Sequence, residues 1–155
     1  MLSTKYIRSS LSKITSLLIL ILSLSSCGHF VARELSGTDA PALENYSFLG
    51  EKYPCYLELK KYEQAIRVNC FHIDGVLHIH SSRWSNLPRL SGESWSTAII
   101  LQPKVRVEID EKIYSLTASW VEDENRRRDI LHNRGYIHAW DGIKVFRFTA
   151  PSRDA

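Results

Sequence analysis

Residues 55–80 read CYLELKKYEQAIRVNCFHIDGVLHIH, and this stretch decides the fold. Apolar residues alternate with polar ones along it, which is the period of a β-strand with one buried face. The dipeptide Asp74-Gly75 is a strong hairpin signal because both residues accept the positive φ angles of a two-residue turn. The stretch therefore predicts two consecutive hairpins, one turning near Tyr62-Glu63 and the other at Asp74-Gly75.

The register of the first hairpin brings two cysteines together. Folding the chain at Tyr62-Glu63, or equally around a four-residue loop over Lys61 to Gln64, places Cys55 directly opposite Cys70. Residues that face each other in antiparallel strands have Cα atoms roughly 4.5 to 5.5 Å apart, a spacing that a disulfide can bridge. We therefore predict a disulfide between Cys55 and Cys70. Two buried free thiols are the alternative.

The rest of the chain alternates between strands and short helices. SWSTAIIL predicts a short helix stopped by Pro103, and KVRVEIDEKIYSLTASWV predicts a hairpin that turns near Asp110-Glu111-Lys112. Asp123 is a predicted cap for a helix through ENRRRDILHNR that ends at Gly135, and residues 142–150 form the last predicted strand. Antiparallel strands with short helices at their connections predict the α+β class, built round a small barrel.

Residues 1–26 have the layout of a secretory signal. They carry three cationic residues and no acidic one, and the apolar run Leu17–Leu22 follows the charges. This run is much shorter than the roughly 20 residues that a membrane-spanning helix needs. We therefore predict export into an oxidising compartment, which also favours the predicted disulfide.

The end of this signal resembles the lipobox of bacterial lipoproteins, because Leu24-Ser25-Ser26 stands directly before Cys27. The resemblance implies cleavage before Cys27, a diacylglycerol on its sulfur and acylation of the new amino group. Several acyl chains, at roughly 0.8 kcal/mol per buried methylene, hold a protein on a bilayer almost permanently. Gly28 is not the aspartate of an inner-membrane retention signal, so we expect the outer membrane, facing the periplasm, in a Gram-negative source. An ordinary secreted protein cut near Ser26 is the alternative.

Removing the signal neutralises the chain. Three of its 20 lysines and arginines lie in residues 1–26, so 17 cationic residues remain against 17 acidic ones. This balance gives no ground for a nucleic-acid partner. We expect three parts, namely a signal peptide at 1–26, a lipidated flexible tether at 27–50 with a short helix at Ala40 to Tyr46, and a barrel domain at 51–155.

The order of elements over residues 55–150 resembles the split β-barrel flavin-binding families, especially the deazaflavin-dependent nitroreductases related to pyridoxamine phosphate oxidases. The most specific likeness is Trp95, followed after seven residues by Pro103 and then by Val105 and Val107 in a strand. The resemblance implies a small antiparallel split β-barrel with one or two short helices. It also implies FMN or a deazaflavin as cofactor, an oxidoreductase activity and a homodimer.

The chain departs from that group where the cofactor phosphate would bind. The group has a turn rich in Gly, Ser and Arg or Lys, whereas the same place here reads Lys60-Lys61-Tyr62-Glu63-Gln64. The asparagine that the group has three residues after Trp95 is Ala98 in this chain. We therefore expect a shared fold without a bound cofactor.

The candidate ligand-binding residues follow the second hairpin. His78 and His80 lie two residues apart in a predicted strand and so share one face. His72 points to the opposite face in the Asp-Gly register, and the positions of His132 and His138 do not follow from the sequence, so we assign no metal ligand. A loop then carries Arg83, which could grip an anionic ligand. We name four candidate ligand-binding residues: His78, His80, Arg83 and Trp95. For Trp95 a position in the core or at the barrel end is the simpler alternative.

No catalytic residue is assigned, because the sequence contains no GxSxG, HExxH, CxxC or phosphate-loop motif. The Arg126-Arg127-Arg128 run follows three acidic residues at helical spacings of three and four, which predicts ion pairs on a helix face. We predict a lipid-anchored, periplasm-facing binding or envelope-structural protein. The alternative is a flavin- or deazaflavin-dependent oxidoreductase that uses the groove near the four candidate residues.

Overall fold

A computed structural model describes residues 33–60, 63–82, 94–136 and 142–151 of the chain. These ranges contain seven strands and two helices. The strands are β1 Thr38–Ala40, β2 Tyr53–Leu59, β3 Gln64–Ile73, β4 Val76–His80, β5 Lys104–Ile109, β6 Lys112–Trp120 and β7 Val145–Thr149. The helices are α1 Trp95–Leu101 and α2 Glu124–Asn133.

Six of the strands close into an antiparallel barrel. Their order is β6-β5-β2-β3-β4-β7, and β7 pairs again with β6 to complete the ring. The short strand β1 lies outside the ring and runs parallel to the start of β6, with Thr38 beside Lys112. The predicted small α+β barrel is therefore confirmed.

Alternating side chains of the six strands fill the barrel. Leu57, Val107 and Phe146 are almost completely buried there, and each alternates with outward-facing neighbours on its strand. Cys55 and Cys70 belong to the same interior cluster and form a disulfide with a Cα–Cα distance of 5.9 Å. The predicted disulfide is thus present, inside the barrel wall.

The predicted register of the first hairpin is wrong by two residues. Cys55 lies opposite Val68, and Cys70 lies opposite Tyr53, so the disulfide joins diagonal rather than directly opposed positions. The loop lies one residue earlier in the sequence than expected, because Leu59 pairs with Gln64. A register shift of two residues leaves the same side chains facing inward. Both cysteines therefore still point into the barrel, where they form the disulfide.

The two predicted tight turns form at the expected residues. Asp74 and Gly75 have φ angles of 50° and 77°, and Ile73 faces Val76 across the turn. In the β5–β6 hairpin the residues with positive φ are Asp110 at 50° and Glu111 at 61°. Positive φ at both central residues is the requirement of a type I′ turn, whose twist matches that of paired strands.

The first helix and the last strand lie where the sequence places them. Ser94 precedes α1, and its hydroxyl accepts a hydrogen bond from the Thr97 backbone N–H at 3.3 Å. The helix ends at Leu101, two residues before Pro103. The last strand begins at Val145, three residues later than the predicted Gly142.

The segment predicted to be a tether contributes to the packed barrel. Tyr46 and Leu49 are 3 % and 2 % exposed within the interior cluster, and the Tyr46 N–H donates to the Gly75 carbonyl at 2.7 Å. Residues 40–46 form no helix, since Ala40 ends β1 and the chain continues as irregular structure. All described residues belong to one compact unit that spans Val31–Ala155, so the predicted boundary at residue 51 falls inside packed structure.

Candidate functional site

The two candidate histidines lie on the outer face of the barrel wall. Along β4, Leu77 and Ile79 point into the interior cluster, whereas His78 and His80 point to the opposite side. Both imidazole rings contact the ring of Phe71 on the neighbouring strand β3, with centroids 5.7 Å and 5.9 Å away. The strand alternation that predicted a shared face for the two histidines is therefore confirmed.

The imidazole of His78 is buried, and its surroundings lower its pKa. Its residue is 5 % exposed, and the Nδ1–H donates to the Val76 carbonyl at 2.8 Å. Burial lowers the pKa of His78, and the charges of Arg147 and Arg126 lower it further, against the opposing Val76 hydrogen bond and the Asp74 charge. Because Nδ1 carries the proton, Nε2 is a hydrogen-bond acceptor in the neutral ring.

His80 has the same tautomer and a similar environment. Its Nδ1–H donates to the Ser81 carbonyl at 3.0 Å, and the Tyr136 ring stands edge-on to the imidazole at 5.0 Å. Burial lowers the pKa of His80, with smaller contributions from the Arg134 and Lys52 charges against the Ser81 hydrogen bond. Two buried imidazoles with lowered pKa values therefore lie side by side on the outer face of β4.

Helix α2 packs over this outer face and places its side chains beside the histidines. The Asp123 carboxylate caps it by accepting the Arg126 backbone N–H at 2.7 Å. At the other end Gly135 has a φ of 78°, and the Tyr136 N–H donates to the Leu131 carbonyl at 3.0 Å. Between the caps, Ile130 and Leu131 are buried in a second apolar cluster that contains Phe71, Ile143 and Val145.

A cleft of about 400 Å³ opens between α2 and strands β4 and β7. Its apolar wall is formed by Ile73, Val76, Val121 and Ile130. Its polar groups are the imidazole of His78, the carboxylate of Asp74 and two guanidinium groups, those of Arg126 and Arg147. A second cleft of about 470 Å³ adjoins it and shares Asp74 and Arg126 with it.

The two arginines reach the cleft from different elements. Arg126 lies in the first turn of α2, and Arg147 lies opposite His78 in the β4–β7 pair. Within the described ranges neither guanidinium donates a hydrogen bond or forms an ion pair. Asp74 is the single acidic side chain among the residues that line this cleft. Positive charge therefore exceeds negative charge at the cleft mouth.

The predicted ion pairs of the arginine run form only in part. Arg128 pairs with Glu124 at 2.7 Å, four residues apart on an exposed face. Arg127 instead donates to the backbone carbonyls of Val121 and Glu122. The side chain of Arg126 instead lines the cleft, a position that the charge pattern did not predict.

The other two predicted site residues do not join the histidines. Trp95 is 5 % exposed within the interior cluster and packs against Phe146, with ring centroids 6.0 Å apart. It therefore lies on the other side of the barrel wall from His78 and His80. Arg83 lies outside the described residues, so its predicted role is untested.

The next cleft contains a further arginine beside the histidine pair. The Arg134 guanidinium stands over the Phe71 ring at 3.8 Å from its centroid and donates to the Glu51 backbone carbonyl. Burial lowers the pKa of Arg134, against the raising charges of Tyr136 and Glu51. The alternation of VFRFT predicts from the sequence that Arg147 points outward from the barrel. No sequence pattern predicts the contact between Arg134 and the Phe71 ring.

Among the described residues, no group of three or more His, Cys, Asp or Glu side chains lies close enough together to hold a metal ion. Within the same ranges, no helix has both the length and the apolar character required to cross a bilayer. Comparison of the chain with protein-family models and with curated protein sequences gives no match. The resemblances to lipoproteins and to split-barrel flavin proteins therefore stay predictions.

Proposed function

We propose that this chain is a lipid-anchored binding protein of the cell envelope, acylated at Cys27 and facing the periplasm from the outer membrane. The anchor is supported by the charged and apolar layout of residues 1–26 and by Leu24-Ser25-Ser26 before the cysteine. The Cys55–Cys70 disulfide supports export, because disulfides persist in oxidising compartments.

The observation that carries the binding function is the cleft beside His78. Two guanidinium groups from separate elements converge on it, and an apolar wall of aliphatic side chains lies next to them. Guanidinium groups bind carboxylates and phosphates through charge-assisted hydrogen bonds, while aliphatic walls take the apolar part of a ligand. The cleft is therefore suited to a small anion that has an apolar body.

The ligand class can be tested with decanoate, which combines a carboxylate with an apolar chain. We expect decanoate to bind the unmodified protein, measured by titration calorimetry. Arg126→Gln and Arg147→Gln should each weaken the affinity by about tenfold, the size of one lost charge-assisted contact. Arg128→Gln is the matched control, because its side chain pairs with Glu124 away from the cleft. Equal affinities in all four proteins would refute this assignment of the site.

The anchor is tested by Cys27→Ser in the full chain. We expect the natural protein to fractionate with membranes and to carry an acylated N-terminal cysteine in mass spectrometry. The variant should stay uncleaved or become soluble, since it has no thiol to acylate. A variant that matures and still fractionates with lipid would contradict the lipobox interpretation.

A flavin- or deazaflavin-dependent oxidoreductase is the second candidate, favoured by the closed six-stranded barrel and by the spacing from Trp95 to Pro103. Such a protein would be purified with a yellow chromophore or would take up added FMN. A colourless protein that binds neither added FMN nor an added deazaflavin would exclude this candidate. The homodimer implied by the same resemblance is tested by size-exclusion chromatography, where a monomer at every concentration would count against it.

A further inference from the structure

The N-terminal chain contacts the barrel from Arg33 onward, so the chain that links Cys27 to the barrel is much shorter than the predicted 24-residue tether. Arg33 exchanges two backbone hydrogen bonds with Ala65 at the start of β3, at 3.1 Å and 2.7 Å. Its guanidinium lies 3.7 Å from the centroid of the Tyr56 ring and pairs with the buried carboxylate of Glu108. Three separate contacts thus hold this residue on the barrel wall.

The covalent chain then limits how far the barrel can stand from the anchor. Five residues lie between Cys27 and Arg33 in the sequence. A fully extended chain advances at most about 3.3 to 3.6 Å per residue, so the Cα atom of Arg33 lies within roughly 20 Å of that of Cys27. A thioether-linked diacylglycerol at Cys27 would therefore bring the Arg33 end of the barrel to the lipid headgroups.

The same end of the barrel exposes two large apolar side chains. Ile100 and Leu101, in the last turn of α1, are 39 % and 66 % exposed. Lys60, which follows β2, and Ala98 of α1 line the same small crevice. The C-terminal half of α1 therefore lies beside the end of β2. Lys60 also lines the cleft formed by the segment after Arg33, so α1 and the fixed N-terminal chain lie at one end of the barrel.

The charges around the two apolar residues allow contact with a bilayer but do not by themselves demand it. Lys60 and Lys104 are exposed near the end of α1, and Glu34 and Glu63 are exposed beside the fixed N-terminal segment. Glu58 is compensated, because Arg106 donates to it at 3.2 Å. The membrane contact therefore depends on the two apolar side chains and on the short chain between Cys27 and Arg33.

We propose that the end of the barrel around Ile100 and Leu101 rests on the lipid bilayer, with these two side chains inserted among the headgroups. The proposal rests on the lipid anchor at Cys27 that we propose above. In this orientation the cleft between α2 and the barrel wall is held at a fixed place relative to the membrane. Exposed aliphatic residues beside lysines are the composition of interfacial contacts.

The test uses the full, acylated protein in vesicles of phosphatidylethanolamine and phosphatidylglycerol. Leu101→Cys introduces a single free thiol, because Cys55 and Cys70 are bonded to each other and Cys27 is acylated. A nitrobenzoxadiazole label at this position should be quenched by headgroup nitroxides at least about twofold more than the same label at Lys112→Cys. Position 112 is the matched control, since it is exposed at the opposite end of the β5–β6 hairpin.

A second variant separates the side chains from the tether. With the label at Lys104→Cys, replacing Ile100 and Leu101 by serine should reduce the quenching, and unchanged quenching would refute insertion of the two side chains. Equal quenching at positions 101 and 112 in protein of confirmed acylation would overturn the orientation while leaving the anchor intact. Mass spectrometry that shows no acyl group on Cys27 would overturn the anchor itself, and with it this orientation. Protection of the label without vesicles, growing with protein concentration, would assign the surface to a second copy of the chain instead.

Discussion

At the scale of single residues, Glu108 joins the N-terminal segment to the barrel. It is 3 % exposed on the outer face of β5, where it accepts the Ser36 backbone N–H at 3.0 Å and pairs with Arg33. Burial alone would raise the pKa of Glu108, but the Ser36 hydrogen bond and the Arg33 charge outweigh it and hold the pKa below its usual value. The carboxylate is therefore stabilised in its charged form.

We expect Glu108→Gln to lower the free energy of unfolding at pH 7 by about 2 kcal/mol, because it removes two charge-assisted hydrogen bonds from a buried site. A carboxyl whose pKa is depressed on folding contributes stability above its unfolded pKa and loses it as the pH falls through the folded value. The difference between the two proteins should therefore shrink below about pH 4 in urea titrations.

The control for this substitution is Glu124→Gln, which removes one partner of an exposed ion pair with Arg128. Exposed pairs contribute about 0.2 to 1 kcal/mol, so this change should be small at every pH. Equal losses of unfolding free energy in the two variants would show that Glu108 does not stabilise the attachment of the N-terminal segment to the barrel.

At the scale of elements, the β2–β3 hairpin is stabilised by its disulfide. The bonded cysteines are separated by 15 residues in sequence. A cross-link over a loop of that length restricts the unfolded chain by about 3 kcal/mol. We therefore expect the double variant Cys55→Ala and Cys70→Ala to lose about that much free energy of unfolding, plus the cost of a smaller core.

Reduction of the unmodified protein supplies the matching measurement. Dithiothreitol should lower its thermal midpoint and leave that of the double variant unchanged. Unaltered midpoints for both proteins would show that the bond does not form in solution.

The same hairpin shows how far sequence reasoning reaches. The period of two identified its inward residues, and the Asp-Gly dipeptide placed the next turn at Asp74-Gly75. The register was missed because the actual pairing of Cys55 with Val68 and the expected pairing with Cys70 point the same side chains inward. The alternation of apolar and polar residues excludes a register shift of one residue, but it fits a shift of two residues equally well. The turn over residues 60–63 has no Asn-Gly or Asp-Gly signal that would decide between them.

The packing of α2 on β4 makes stability depend on pH. The pKa of His78 and that of His80 are lowered in the folded protein, chiefly by burial. The unfolded chain therefore binds protons first as the pH falls below about 6.5, and the free energy of unfolding decreases from there until the folded pKa is passed. We expect His78→Gln to show a smaller decrease between pH 7.5 and pH 5 than the unmodified protein, measured by urea unfolding.

His132→Gln serves as the control for this substitution, because His132 is exposed on α2. This variant removes an imidazole that faces solvent and leaves His78 in place. A His78→Gln variant that loses as much stability as the control on acidification would show that the buried imidazole does not carry the effect.

The candidate site was predictable in part, and its failures have a physical cause. The spacing of His78 and His80 fixed their common face, but alternation alone does not say whether that face is inside or outside the barrel. Trp95 is grouped with them through the resemblance to the split-barrel flavin proteins, with a position in the core as the alternative. The structure places it in the interior, since an indole gains more by filling the barrel with Phe146 than by facing solvent.

At the scale of the whole molecule, the N-terminal segment is a structural part of the barrel. Its residues follow no sustained period, so sequence reasoning assigned them to a tether. Burial of Tyr46 and Leu49 comes from contacts with elements far along the chain, such as the edge-on contact of the Tyr46 ring with Tyr114 at 6.0 Å. Such long-range packing leaves no local pattern in the sequence.

The packed boundary can be located with two truncated chains. A chain that begins at residue 33 retains β1, Tyr46 and Leu49, whereas one that begins at residue 51 leaves their places in the barrel empty. Burial of a large side chain contributes about 1.5 to 3 kcal/mol, so the shorter chain should lose roughly 3 to 6 kcal/mol from these two residues alone. That loss is comparable to the whole stability of a small domain. We therefore expect cooperative thermal unfolding by circular dichroism for the chain from residue 33 and none for the chain from residue 51. Equal midpoints would mean that the barrel closes and is equally stable without its N-terminal segment.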